Sequence, residues 1–306
     1  MSWASFKHIF YTFILSISFS PSLLANTSYP LTITDGLGRS MVIEKQPQRI
    51  SSKTLFTDAV LLDLVDDSAL SSLTDLAINP NYSLIIERLP KGVPLLGLNI
   101  EMIIANRPDI VFAANWTDPG KLTILENAGI TVFRLQAPNN LTDIETEILR
   151  VGKIVNKNAE ALKIVATMRS RLKADVVPVD HKLTGMDYNP WGTSSGKASS
   201  WNGLLEQAHV VNIIKDYATD KYGQVPISKE MIIALNPEVL FIPAWVYGDE
   251  NTANKFRQTV LSDPSLQSVS AIKHNRVYQV PHALRGVYSQ YYVDAIRFIN
   301  HSVYKK

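Results

Sequence analysis

NIEMIIANRPDIVF at positions 99–112 and SKEMIIALNPEVLF at positions 228–241 decide the fold. They align without a gap and agree at seven of fourteen positions, pairing Glu101 with Glu230, Met102 with Met231, Ile103 with Ile232, Ile104 with Ile233, Ala105 with Ala234, Pro108 with Pro237 and Phe112 with Phe241. Each copy reads as a short amphipathic helix, a Pro at a turn and an apolar strand, Ile110 to Ala114 in one and Val239 to Ile242 in the other. That is one α/β unit written twice. The copies lie 129 residues apart, far beyond a solenoid period of roughly 20–50 residues, so the spacing implies two similar domains.

Working outward, 306 residues that are 46% hydrophobic suffice for two cores. The formal net charge of +2, with no basic block beyond Lys305-Lys306, leaves no electrostatic footprint for nucleic acid. At the amino end, Lys7 and His8 precede the apolar run IFYTFILSISF, and SPSLLA follows with a cleavage site after Ala25. Ser16, Ser18, Ser20 and Pro21 interrupt that run, so residues 1–25 read as a secretory signal peptide rather than a membrane span. The chain has no Cys. Export without cysteine excludes both disulfides and a lipid-modified cysteine, and predicts a soluble periplasmic protein that is not a lipoprotein.

LTITDGLGRSMVIEK alternates around a DGLG turn and predicts a hairpin. In SSKTLFTDAVLLDLV, Thr57 and Asp58 are candidate caps for a helix that turns Ala59, Leu61, Leu62 and Leu64 inward. Strands and helices then alternate through PGKLTILENAG and ITVFRL, as in a parallel sheet. NKNAEALKIVATMRSRLKADV follows, with apolar residues at Ala161, Ile164, Val165, Met168 and Leu172, which predicts one helix of about 20 residues where a linker belongs. The rhythm restarts with a strand near Leu183–Tyr188, the loop NPWGTSSGKASS, the helix WNGLLEQAHVV, the second repeat, a helix near TANKFRQTVLSD, the strand RVYQV and a terminal helix SQYYVDAIRFINHSV. The expected organisation is a signal peptide over 1–25, an N-terminal α/β lobe over 26–155, an interlobe helix over 156–176 and a C-terminal α/β lobe over 177–306.

DGLGRSMVIEKQPQRI, GLNIEMIIANRPDIVFA with LENAGITVF behind it, GTSSGKASSWNGLLEQAHVVNII, YGQVPISKEMIIALNPEVLF and NRVYQVP, in this order and spacing, carry a resemblance. The chain resembles the helix-bridged (class III) periplasmic substrate-binding proteins of ABC importers for iron-siderophores, haem and cobalamin. The resemblance implies two Rossmann-like α/β lobes joined by a single long α-helix, with the ligand cleft between them. It further implies a monomer that is not an enzyme, needs no cofactor and delivers cargo to a dimeric membrane permease. A ferric siderophore is the first expectation for the ligand, and a tetrapyrrole, haem or cobalamin, the alternative. In that family each lobe presents a carboxylate at the start of its repeated helix to permease arginines. Glu101 and Glu230 fall at those positions.

Ligands bind where loops at the carboxyl ends of strands converge. Lys53, Trp116, Trp191, Tyr222, Trp245, Tyr247 and Arg285 stand on such loops, and their aromatic faces and cations suit a large conjugated chelate. Trp201, at the start of a helix, fits a core and a cleft position equally and is left out, and Tyr288, Tyr291 and Tyr292 are read as packing residues on the final helix. Cobalamin-binding members carry a Trp shortly before each docking Glu; PLLGLN and YGQVPIS stand there instead, which weakens that assignment. For haem, His282 and Tyr222 are the available iron ligands, without an evident pair. His8, His181, His209, His274, His282 and His301 are isolated from one another, which argues against a direct metal-ion site. GTSSG at 192–196 also matches G-x-S-x-G, with Ser194 as nucleophile and Asp263 and His274 in chain order, so a secreted serine esterase is the lower alternative. Asn189-Pro190-Trp191 before it and Lys197–Ser200 after it do not fit a strand-turn-helix elbow, and favour a loop with Ser199 or Ser200 as helix cap.

Overall fold

The strand–helix rhythm builds two parallel sheets of the same design. The computed structural model describes residues 26–246 and 250–305, so the signal peptide expected over 1–25 and the cleft candidate Tyr247 lie outside the described residues. A hairpin of β1 (Leu31–Thr34) and β2 (Ser40–Ile43) comes first. Then follow β3 (Ile50–Ser52), α1 (Leu55–Leu64), β4 (Leu70–Ser72), α2 (Ile100–Ala105), β5 (Ile110–Ala114), α3 (Pro119–Asn127) and β6 (Thr131–Leu135), whose strands lie parallel in the order β4-β3-β5-β6.

Helices α4 (Leu141–Ile154) and α5 (Asn158–Asp175) lead to β7 (Thr184–Asp187), β8 (Thr193–Ser195), α6 (Ser200–Gln207), β9 (Val211–Asn212), β10 (Gln224–Pro226), α7 (Lys229–Leu235) and β11 (Val239–Pro243). The chain ends with α8 (Glu250–Ser262), α9 (Ser270–Lys273), β12 (Val277–Val280), α10 (His282–Arg285) and α11 (Tyr292–Tyr304). The second parallel sheet runs β9-β7-β11-β12, and β8 pairs with β10 in a small antiparallel ribbon. Each four-stranded sheet therefore places its second strand first, then its first, third and fourth.

The repeated segment supplies the same piece of both sheets, a helix followed by the third strand. Ile103 and Ile232 anchor the helices, and Phe112 and Phe241 lie fully buried in β5 and β11. Arg107 and Asn236, the residues before the two prolines, both adopt a left-handed φ, of 46° and 45°. The acid after each proline does the same task as well. Asp109 accepts from the Gln48 and Arg49 N–H groups at 2.8 and 3.0 Å, and Glu238 accepts from Thr184 N–H at 2.9 Å, so each fixes the start of the neighbouring first strand.

Two local expectations change. The cap of α1 is Thr54, whose hydroxyl accepts from Thr57 N–H; Thr57 and Asp58 sit one turn further in and are buried. The connection between lobes is broader than a lone strut. Helix α5 has 18 residues, about 27 Å at 1.5 Å per residue, and pairs with α4, while α11 returns to pack on both α5 and α6. One hydrophobic core consequently runs from Phe112 and Phe133 of the first sheet through Ile148, Val165 and Ile296 to Phe241 of the second. Gly203 in α6 allows a close crossing between lobes, because a Cβ there would lie 2.7 Å from the Asn139 carbonyl oxygen just before α4.

Candidate functional site

In an open parallel sheet, ligands bind beyond the carboxyl ends of the strands where the strand order reverses. In the first sheet that point lies between the ends of β3 and β5, which carry Lys53 and Trp116. Loops from both lobes close two adjoining cavities there. The larger, of about 800 Å³, is lined by Trp116 and Asn139 from the first lobe and by Trp201, Tyr222, Arg285 and Tyr288 from the second. The smaller, of about 220 Å³, lies mainly against the first lobe, with Lys53, Phe56, Leu135 and Glu147 in its walls. Trp116, Pro138, Gly286 and Tyr288 line both, so the two form one cleft with an annex.

Arg285 stands in the larger cavity at the end of α10, held from behind. Its guanidinium bonds Asp187 Oδ2, lies 3.4 Å from Ser195 Oγ, and stacks 4.8 Å from the centre of the Trp201 ring. Asp187 is buried and accepts also from Ser194 Oγ at 2.8 Å, Ser195 N–H at 2.8 Å and Ser195 Oγ at 3.0 Å. Burial alone would push this carboxyl up; the Arg285 charge and the serine hydrogen bonds outweigh it and hold the group below the usual carboxylate range. The arginine is thus fixed in direction and largely neutralised.

Lys53 follows β3 and donates to Ser72 Oγ at 3.1 Å and Leu96 O at 3.0 Å. Burial pulls its ammonium down to about 8, with Asp58 and Asp75 opposing. Asp58, accepting from Thr74 N–H at 3.1 Å, is itself pushed up to about 7 by burial. Trp116 and Tyr222 are 64% and 74% exposed, open faces rather than packing residues, and Lys221 Nζ lies 4.9 Å from the centre of the Tyr222 ring.

Four sequence candidates, Lys53, Trp116, Tyr222 and Arg285, therefore converge. Two do not line the cavities. Trp245 joins an aromatic cluster across the lobes, its ring centre 5.5 Å from Tyr82 and 5.1 Å from His282, with Tyr82 and His282 4.7 Å apart. Trp191 is exposed on the turn whose Gly192 carbonyl accepts from Ile227 N–H, beside the start of α7. Trp201 is buried in the core, its ring edge-on to Phe241, and also forms part of the larger cavity's wall, while Tyr288, read as a packing residue on the last helix, lines both cavities and precedes that helix. Glu147 went unseen because a Glu in an amphipathic helix carries no sign of burial.

The esterase constellation is not assembled. Ser194 is fully buried in β8 and donates to Asp187; Asp263 pairs with Lys229; His274 Nδ1 lies 2.9 Å from the Ser270 carbonyl oxygen. The cap of α6 is Ser199. Among the described residues no group of three His, Cys, Asp or Glu could hold a metal ion.

Glu101 and Glu230 are exposed and enter no ion pair among the described residues. Asn99 Oδ1 accepts from Met102 N–H at 3.0 Å and Ser228 Oγ from Met231 N–H at 3.2 Å as helix caps, and the Glu230 carboxylate also takes its own N–H and the Ser228 hydroxyl, which hold it below the usual carboxylate range.

The family model described as "Periplasmic binding protein" matches residues 74–284. The chain belongs to this family. Within it the architecture is that of the helix-bridged (class III) ABC-importer binding proteins, which are non-catalytic, work with a membrane permease and act outside the cytoplasm. The periplasmic binding protein is 24% identical over 267 residues to the uncharacterized ABC transporter substrate-binding lipoprotein YvrC of Bacillus subtilis, covering 82% of this chain and 78% of that one. It is 25% identical over 219 residues to a cobalamin-binding protein of Halobacterium salinarum, covering 70% of this chain and 58% of that one. A solved periplasmic binding protein from Veillonella parvula superposes with a TM-score of 0.73 at 15% identity, over 90% of this chain and 98% of the other, and gives the fold.

Proposed function

We propose that the protein captures a bulky, near-neutral metal chelate in the interlobe cleft and delivers it to an ABC permease, docking through Glu101 and Glu230. The observation that carries the ligand class is the charge balance of the cleft: Arg285 is compensated by Asp187 and Lys53 faces Asp58 and Asp75, which leaves Lys221 at the margin. A polyanionic catecholate or the two propionates of haem would find few uncompensated cations, whereas a ferric hydroxamate needs aromatic walls and hydrogen bonds. A ferric siderophore of hydroxamate type is the first reading. A corrinoid, whose rim carries neutral amides, is the second, favoured by the halobacterial cobalamin-binding relative.

Docking rests on the charge of the repeat. Among the seven repeated pairs only Glu101 and Glu230 are charged, and both are exposed, whereas Ile103, Ile232, Pro108, Pro237, Phe112 and Phe241 are buried. Two carboxylates, one per Rossmann-like lobe, would set register and steer encounter. The lobes are taken as residues 26–155 and 177–306 with the linking helix over 156–176.

Calorimetric and tryptophan-fluorescence titration of residues 26–306 with a ferric trihydroxamate, a ferric tricatecholate, haemin and cyanocobalamin tests the ligand class. Tightest binding of the trihydroxamate or cyanocobalamin is expected; tightest binding of the tricatecholate or haemin would overturn it.

A further inference from the structure

The annex holds a feature that the cleft reading leaves unused. Glu147 lies on α4 with its side chain only 4% exposed, and forms part of the annex wall. Its Oε1 faces Arg150 Nη1 of the same helix at 3.2 Å and the Gln136 N–H lies beside the carboxyl, but among the described residues its buried Oε2 has no partner in hydrogen-bonding geometry. The rest of the annex is largely apolar, with Phe56, Leu76, Ala114, Trp116 and Leu135 around it. Lys53 does not answer the need, since its ammonium is engaged by Ser72 and Leu96. A buried acceptor without a donor is uncommon in native proteins and calls for a specific partner.

We propose that the annex is a selectivity subsite for an arm of the bound chelate that ends in an N–H donor, an amide or a primary ammonium, which bonds Glu147 Oε2 while its apolar stem fills the space beside Phe56 and Trp116. This rests on the cleft being the ligand site. Above about pH 7, where Glu147 is ionised, a carboxylate-ended arm would place a like charge and a second acceptor against it, and the annex would reject it. Burial pushes the Glu147 carboxyl up to about 7, with Arg150 opposing, so the group is costly to ionise until a donor arrives. The same N–H chemistry is available from a ferric trihydroxamate with a free terminal amine and from the amide rim of a corrinoid.

The test uses matched probes on wild type and Glu147→Gln, whose fold is checked by circular dichroism. A ferric linear trihydroxamate with a free terminal amine is compared with its N-succinylated form, and cyanocobalamin with its monocarboxylic acids, by calorimetry. Benzamidine and benzoate, titrated against Trp116 fluorescence, probe the annex without the large ligand, with Trp116→Phe identifying the signal. Wild type should favour the donor-ended member of the pair it binds by about tenfold or more, the scale of one unpaired buried acceptor, and Glu147→Gln should reduce that preference to near unity. Preference for the amine pair would assign the hydroxamate source; preference for the amide pair, the corrinoid. Equal binding of both members in both proteins would overturn the subsite while leaving chelate capture standing. If no chelate binds but benzamidine does, in a Glu147-dependent way, the subsite stands and chelate capture falls; if benzamidine fails too, both fall.

Discussion

Asp187→Ala removes the buried partner of a half-buried guanidinium. In the wild type this carboxylate accepts from the Arg285 guanidinium, both serine hydroxyls and Ser195 N–H, and the alanine leaves all four donors unanswered beside the cleft. Breaking a buried ion pair by removing one partner costs about 3–5 kcal/mol. At roughly 2–4 °C per kcal/mol for a chain of this order of size, the midpoint of thermal unfolding should fall by roughly 10 °C in calorimetry at pH 7. Asp187→Asn keeps the volume and should fall between the two. Replacing both partners, Asp187→Leu with Arg285→Met, should recover much of the loss, because two apolar groups leave no orphaned charge. The pH dependence has a definite sign: Asp187 is held below the usual carboxylate range in the folded state, so its contribution is present above the unfolded value of about 4 and fades as pH falls through the folded one. A midpoint within about 2 °C of wild type for Asp187→Ala at pH 7, well below the roughly 10 °C expected, would refute the claim that this pair holds Arg285 in place.

Other expectations are as direct. Glu101→Ala with Glu230→Ala should leave chelate affinity unchanged in calorimetry and abolish stimulation of the permease ATPase in proteoliposomes; lost chelate affinity would sink the docking assignment. Glu147 titrates with Arg150 and Asp143 as its charged neighbours and is raised to about 7 when folded, so wild type should lose stability relative to Glu147→Gln as pH rises from about 4 to 7; parallel denaturation curves across that window would contradict its burial. Gly203→Ala should lower the unfolding midpoint, because its Cβ would meet the Asn139 carbonyl oxygen at 2.7 Å and the lobes must shift to accommodate it. Small-angle scattering should show only a slight change in radius of gyration on loading, since a shared core resists hinge bending; a large change would count against this.

The fold was legible where periodicity is strong. The repeat placed both third strands and the helices before them, and the apolar face of α5 announced a helix between the copies. Cap chemistry was less so: Thr54 and Thr57 are equally plausible caps by residue type, and only the chain path decides between them. Loop residues were legible in kind but not in direction. Trp116 and Trp191 both follow strands and are both exposed, yet one faces the cleft and the other a turn near α7, because a loop's course depends on contacts distant in sequence. Burial of charge was the least legible property. Nothing in LTDIETEILR marks Glu147 as enclosed, since the residues that share its cavity, Leu55, Phe56 and Trp116 among them, are distant in sequence.

The continuous core through α5 and α11 bears on how cargo leaves. A protein whose two halves share buried side chains from Phe112 to Phe241 has no soft joint to gape at by thermal motion, so on the proposed reading it holds its cargo by default. Unloading then requires an outside wedge. On the same reading the permease, gripping one carboxylate on each half, would pull the rims apart against that stiffness, and the work of release would fall to the ATP-driven machine and not to the carrier.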